Sequence, residues 1–291
     1  MVVTNLRLPS LYLKYTKPGV WSLLVFSAFI GALLAAEYQR LFSPYPVLLA
    51  VLSTTLGTSG AEAITNYIDR DIDLIMTRTR YRPLVTGEMT PKRGLQFGLL
   101  LASAAIILLI MSHLFYALLW LCLGLFDNVI VYSYLLKRLT PWSVILGGFS
   151  GGFPVLIGWY CVTDVFSFIP WVLFVLIVIW IPVHICSLAF KYREDYRAAD
   201  VPMLPTVLSE RGTSWCIMAS VLALILFSVI PLFLGIEGVY YTIVALVLSV
   251  PLLFYTVAFL RKPDKVSSFA LFKYSNVYLS IIIVIFFVFR L

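Results

Sequence analysis

Residues 168–189 read FIPWVLFVLIVIWIPVHICSLA, an apolar run carrying one imidazole, His184, and no formal charge. About 20 such residues are what an α-helix needs to cross the hydrocarbon core of a bilayer. The run ends in Lys191-Tyr192-Arg193-Glu194-Asp195-Tyr196, where charge returns at once. The same alternation continues outward in both directions and predicts spans over about 19–38, 46–67, 94–112, 114–134, 142–161, 168–189, 213–235, 238–259 and 271–289. Composition agrees, because 62% of the 291 residues are hydrophobic and only 12% charged, which excludes an ordinary soluble domain. The chain reads as an all-α integral membrane protein with nine transmembrane helices.

The charges sort by side of the membrane. The N-terminal segment and the connections after helices two, four, six and eight, the last counted through Lys273 at the start of helix nine, hold 3, 6, 2, 4 and 4 Lys or Arg, 19 in all, against Arg40 and Arg290 on the other side. The positive-inside rule then sets the N-terminus and those connections in the cytoplasm and the C-terminus outside. The net charge of +7 reflects that orientation and calls for no nucleic-acid partner. Residues 1–291 form one membrane domain on this reading. Its two long polar segments follow helices two and six, which suggests tandem four-helix units at about 19–138 and 142–262, with a ninth helix at 271–289. Gly147-Gly148, Gly151-Gly152 and Pro154 interrupt helix five, either to shape a cavity or to let helices approach closely.

Charge inside a membrane bundle is expensive and marks function. Thr55, Thr58, Glu62, Asn66, Asp69 and Asp73 recur at helical spacing, so the sequence predicts one polar stripe facing the interior or a wet cavity, with Thr65 on its flank. Asp69 and Asp73, one turn apart, can both address a hard divalent cation, for which Mg²⁺ held by carboxylates and substrate phosphates is the usual case. Arg78 and Arg82 follow, with guanidinium forks suited to phosphate oxygens. Together these would bind a diphosphate with an apolar tail. As residues near a helix end, the two aspartates are expected to add little to packing. In the second cluster His184, Lys191 and Asp195 are spaced to share a face of one continuous helix. Glu194 or Asp195 could hold a second metal, and Lys191 and Arg193 could neutralise a leaving diphosphate. His184 reads equally as a core histidine, a ligand of haem iron or a proton carrier.

Several strings resemble a known family: Asn66-Tyr67-Ile68-Asp69-Arg70-Asp71-Ile72-Asp73, Arg78-Thr79-Arg80 with Arg82-Pro83-Leu84-Val85-Thr86-Gly87, Tyr134-Leu135-Leu136-Lys137-Arg138, and Asp195-Tyr196 with Val201-Pro202-Met203-Leu204-Pro205. In order and spacing they are similar to the protohaem IX farnesyltransferase (haem O synthase) family of UbiA-type intramembrane prenyltransferases. The Trp180-Ile181-Pro182-Val183-His184 segment points to the haem branch. The resemblance implies a UbiA-type bundle of nine helices around a central cavity. It also implies farnesyl transfer from farnesyl diphosphate to a vinyl group of haem B, with addition of water and release of diphosphate. By motif position, Asp69, Asp73, Asp195 and Glu194 would be Mg²⁺ ligands, and Arg78, Arg82, Lys137, Lys191 and Arg193 would contact diphosphate. Asn66 and His184 would join the substrate site. A haem A synthase or terminal oxidase would be candidate recipients of the product. The chain departs from the family pattern at Thr65, where Asn is usual, and at Glu194, where Asp is usual. The competing readings are a sister prenyltransferase with another acceptor, such as a quinone precursor, chlorophyllide or a glycerol phosphate ether, and a transporter using Glu62 and Asp127.

Overall fold

The computed structural model describes residues 7–290. Among the described residues, nine helices are long and apolar enough to span a membrane. They are α1 (Pro18–Tyr38), α2 (Pro44–Ile68), α3 (Pro91–Met111), α4 (Phe115–Leu136), α5 (Ser143–Val162), α6 (Phe168–Lys191), α7 (Glu210–Phe233), α8 (Val239–Arg261) and α9 (Lys265–Val288). A short helix, Arg7–Tyr15, precedes them.

Local chemistry sets the helix starts. Pro18, Pro44 and Pro91 open α1, α2 and α3, where a missing N–H costs nothing. The side chains of Thr90, Ser167 and Ser209 accept backbone N–H bonds at the starts of α3, α6 and α7. Asp264 and Ser267 form a reciprocal capping box at α9. That cap starts α9 six residues before the predicted 271 and brings Lys265 into the helix.

Successive helices pack as neighbours and α9 returns to α1, closing a ring around an interior space. Close approach is built from glycine. A Cβ on Gly158 of α5 would collide with the Ala28 carbonyl oxygen of α1, and one on Gly31 would collide with the Val155 carbonyl oxygen. Helix α5 is interrupted as its glycines predict, running as Ser143–Leu146, a tight turn at Phe149–Gly151, then Phe153–Val162. Helix α4 changes from α to π geometry over Phe126–Leu136, a form that recurs at functional sites.

One end of the bundle gathers the connections after α2, α4 and α6. There Lys137 and Arg138 contact Asp69 and Asp71, and Thr77 contacts Asp195. At the other end Arg290 joins Glu37 and Glu237.

Candidate active site

Helices α1, α2, α4, α5, α6 and α9 enclose a cavity of about 710 Å³, within the range of small-molecule sites, roughly 300–1,000 Å³. Its depth is apolar, with Leu23, Leu121, Leu125, Phe153 and Ile157 in the wall. Towards the end that carries the charged connections, Lys17, Glu62, Asp69, Asp73, Arg78, Arg82 and Lys137 take over.

The mouth is shaped where α2 stops. Asp69 ends the helix at φ −87°, ψ 5°, and a new short helix, Arg70–Ile75, sets off from it. The break divides the predicted stripe between two helices, while its members from Thr58 to Asp73, Asn66 excepted, still face the cavity. Thr58, Glu62, Thr65, Asp69 and Asp73 line the cavity. Asn66 does not: its amide donates to the Tyr15 carbonyl at 2.6 Å, while the Tyr15 hydroxyl donates to the Ala63 carbonyl at 2.7 Å, strapping the N-terminal helix to α2. The wall position belongs to Thr65.

Asp69 and Asp73 are each 3% exposed, so the expectation of carboxylates with little part in packing is overturned. Lys137 Nζ donates to Asp69 at 2.5 Å and an Arg82 guanidinium nitrogen to Asp73 at 2.5 Å. Burial alone would lower the Lys137 pKa, but Asp69, Tyr132 and Tyr196 beside it hold the ammonium above its ordinary value. Arg138 grips both oxygens of Asp71 at 2.6 and 2.7 Å and the Ile68 carbonyl at 3.0 Å. That fork takes the Asp71 pKa down to about 2 and locks the end of α4 against the end of α2. Lys17, in a left-handed turn at φ 54°, pairs with Glu62 at 2.9 Å. Burial draws its pKa below the ordinary value, with the Glu62 charge opposing. Sequence gave no signal for this pair, whose members lie 45 residues apart. It equally gave none for Asn128, Tyr132 and Ser133, which the π-helical half of α4 presents to the cavity.

A divalent cation fits this mouth. Asp69 Oδ1 is buried without a hydrogen-bond partner while its other oxygen holds Lys137, and oxygen donors suit Mg²⁺. Among the described residues no three His, Cys, Asp or Glu converge as a complete cage. Mg²⁺ commonly takes one or two carboxylates from the protein and fills the rest of its sphere with water and phosphate.

The second cluster is placed differently from the prediction. Helix α6 ends at Lys191 and the chain turns at Tyr192 (φ −106°, ψ 22°) before a short helix, Arg193–Ala198. His184 lines the cavity. Lys191, Arg193, Glu194 and Asp195 do not. The Lys191 ammonium lies 3.2 Å from the Phe269 ring centroid, and Arg193 pairs with Glu194 and Glu210. Glu194 faces Arg193 and Arg197. Asp195 accepts from the Thr77 hydroxyl at 2.7 Å and from the Arg78 backbone N–H at 3.2 Å, so it grips the segment that carries Arg78 to the rim.

A ring of membrane helices around an apolar cavity with a carboxylate- and cation-lined mouth is the architecture of the intramembrane prenyltransferases. A structure of digeranylgeranylglyceryl phosphate synthase superposes with a TM-score of 0.77 at 19% identity, covering 97% of this chain and 98% of that one. A UbiA homologue from Archaeoglobus fulgidus bound to DMAPP and Mg²⁺ superposes with a TM-score of 0.69 at 14% identity, over 93% of this chain and 99% of the other. Residues 24–280 match the UbiA prenyltransferase family, and the chain belongs to it. Among its relatives, the protoheme IX farnesyltransferase of Thermoplasma volcanium is 54% identical over 96% of this chain and 97% of that protein. Protoheme IX farnesyltransferase 1 of Picrophilus torridus is 52% identical over 93% and 91%.

Proposed function

We infer that the protein transfers a farnesyl group from farnesyl diphosphate to a vinyl group of haem B, adds water, and releases diphosphate. The agreement with protoheme IX farnesyltransferases along 96% of the chain carries this reading. The cavity supports it, because its apolar depth and charged mouth differ as the two halves of a prenyl diphosphate differ.

In this reading Asp69 and Asp73 hold Mg²⁺, and Arg78, Arg82 and Lys137 receive the diphosphate. When bound, the Mg²⁺ supplies neutralising charge to the leaving group. The cations at the rim do the same from fixed positions, which is the efficient form of electrostatic catalysis. The allylic C–O bond breaks, the vinyl carbon bonds to the farnesyl carbon, and water adds to the neighbouring carbon with loss of a proton. The aromatic faces of Phe153 and Tyr132 in the wall suit the transient positive charge. Asp195 acts through the Arg78 segment it holds. Glu194, turned to Arg193 and Arg197, stays outside the metal set, and Lys191 and Arg193 serve the surrounding loop. His184 faces the acceptor. The mouth opens to the cytoplasm, a placement supported by the 19-to-2 division of basic residues.

The test incubates purified protein with haem B, farnesyl diphosphate and Mg²⁺, with an EDTA control, and weighs the extracted haem. A metal-dependent gain of farnesyl plus water is expected. Unmodified haem recovered from folded protein would reject this acceptor or donor and lead to longer prenyl diphosphates and to other acceptors.

A further inference from the structure

His184 is held in a way that neither packing nor the diphosphate chemistry accounts for. Its ring lies between Trp180 and Phe272, with centroid distances of 4.3 and 4.4 Å and interplanar angles of 26° and 32°. Trp180 is itself fixed by its indole N–H, which donates to the Ser275 carbonyl at 2.8 Å. Both faces of the imidazole are therefore covered, and only its edges remain to act.

One edge is spoken for. His184 Nδ1 lies 3.3 Å from Ser275 Oγ. The single hydroxyl proton of Ser275 already goes to the Phe272 carbonyl at 2.8 Å, so Ser275 can only accept from His184. Nδ1 therefore carries the proton, and Nε2 carries a bare lone pair. Nε2 has no hydrogen-bond partner among the described residues, and His184 belongs to the cavity wall.

A fixed neutral imidazole with its lone pair at a cavity suits either a proton or a metal. The surroundings decide between them. Trp180, Ile181, Ile185 and Phe272 line the cavity around it, and an apolar wall penalises the imidazolium that proton capture would create. Coordination creates no such charge on the ring. An outer partner that fixes tautomer and orientation is also the usual companion of a metal-binding histidine.

We propose that His184 Nε2 is the axial ligand to the iron of the acceptor haem, with Ser275 as its positioning residue. The ligand would pin the flat macrocycle against the α6–α9 wall while the prenyl donor enters from the mouth. The proposal rests on haem being the acceptor, and the experiment separates the two.

Full-length protein in detergent is reduced with haem B and exposed to nitric oxide, and electron paramagnetic resonance reads the ligand trans to NO. Wild type should give nitrogen hyperfine splitting from the imidazole, His184→Ala a five-coordinate nitrosyl spectrum, and His184→Gly with added imidazole the restored splitting. Ser275→Ala should keep the splitting but weaken haem binding by about 10-fold or more. His184→Met, close in volume, guards against misfolding by replacing the trans nitrogen with sulfur. Identical spectra for wild type and His184→Ala would overturn the ligation, including the case where turnover alone is lost. Wild type that binds no haem would overturn both the ligation and the acceptor assignment.

Discussion

Asp69 is a buried carboxylate whose two oxygens face different tasks. One neutralises Lys137 and the other is unsatisfied. Asp69→Asn should therefore lower turnover by at least about 100-fold, the scale for loss of a group that stabilises developing charge, measured as haem product per protein. Asp69→Ala should also lower the melting temperature, because a buried cation left without its partner costs about 3–5 kcal/mol. The double variant Asp69→Ala with Lys137→Met should regain much of the melting temperature and none of the turnover. Recovery of activity in the double variant would remove Asp69 from the site. The second cluster separates by a milder pair of changes. Asp195→Asn keeps an acceptor for Thr77 and Arg78, so it should retain most activity while Asp195→Ala loses it. Equal loss in both would restore the direct metal role that the sequence motif implies. Glu194→Ala should leave activity near wild type, since it breaks only exposed ion pairs worth about 0–1 kcal/mol.

At the scale of the element, apolar length made all nine spans legible, because each must fill the same hydrocarbon thickness. Side-chain direction was legible only while a helix stayed a helix. Counting by three and four admits either Thr65 or Asn66 between Glu62 and Asp69, and the structure gives the wall to Thr65 because Asn66 is drawn to the Tyr15 carbonyl. An assumption of unbroken helix placed Asp195 beside His184, and the turn at Tyr192 undoes it, whereas Lys191 stays on α6 with its ammonium over the Phe269 ring. The π-helical half of α4 escapes a 3.6-residue count altogether, and with it the facing of Asn128, Tyr132 and Ser133. The interruption of α5 was readable because Gly147, Gly148, Gly151 and Gly152 announce it. What Gly158 does was not, since its partner, the Ala28 carbonyl, lies on a different helix. Gly158→Val should push α1 from α5 and cost about 1–3 kcal/mol or more, seen as a lower melting temperature in detergent. Gly238→Ala, with open space around it, is the control expected to change little.

For the whole molecule, the order of packing bears on how the bundle is built. Helix α2 packs on α3 as α6 packs on α7, α3 on α4 as α7 on α8, and the leading helices α1 and α5 meet each other. We read this as support for two tandem four-helix units with α9 closing the ring. Far from the active mouth, that closure is held by Arg290, just beyond α9, which reaches Glu37 at 3.3 Å and Glu237 at 3.6 Å and donates to the Ile236 carbonyl at 2.9 Å. Glu237 is 5% exposed and neither of its oxygens has a hydrogen bond. Burial raises its pKa from 4.5 to about 7, with Arg290 opposing. The folded state therefore prefers the neutral acid. Below pH 4.5 both folded and unfolded chains are protonated and the whole contribution is present. As pH rises from 4.5 to about 7 the unfolded chain ionises first and the contribution drains away, reaching on the order of 3 kcal/mol lost. Above that range both states are ionised and the dependence levels off. Glu237→Gln fixes the neutral form, so its advantage in melting temperature over wild type should grow between pH 4.5 and 7 and then hold constant. A difference that is flat across that range would mean that Glu237 stays ionised against Arg290 throughout. The clasp would then be an ordinary ion pair rather than one that tightens in acid.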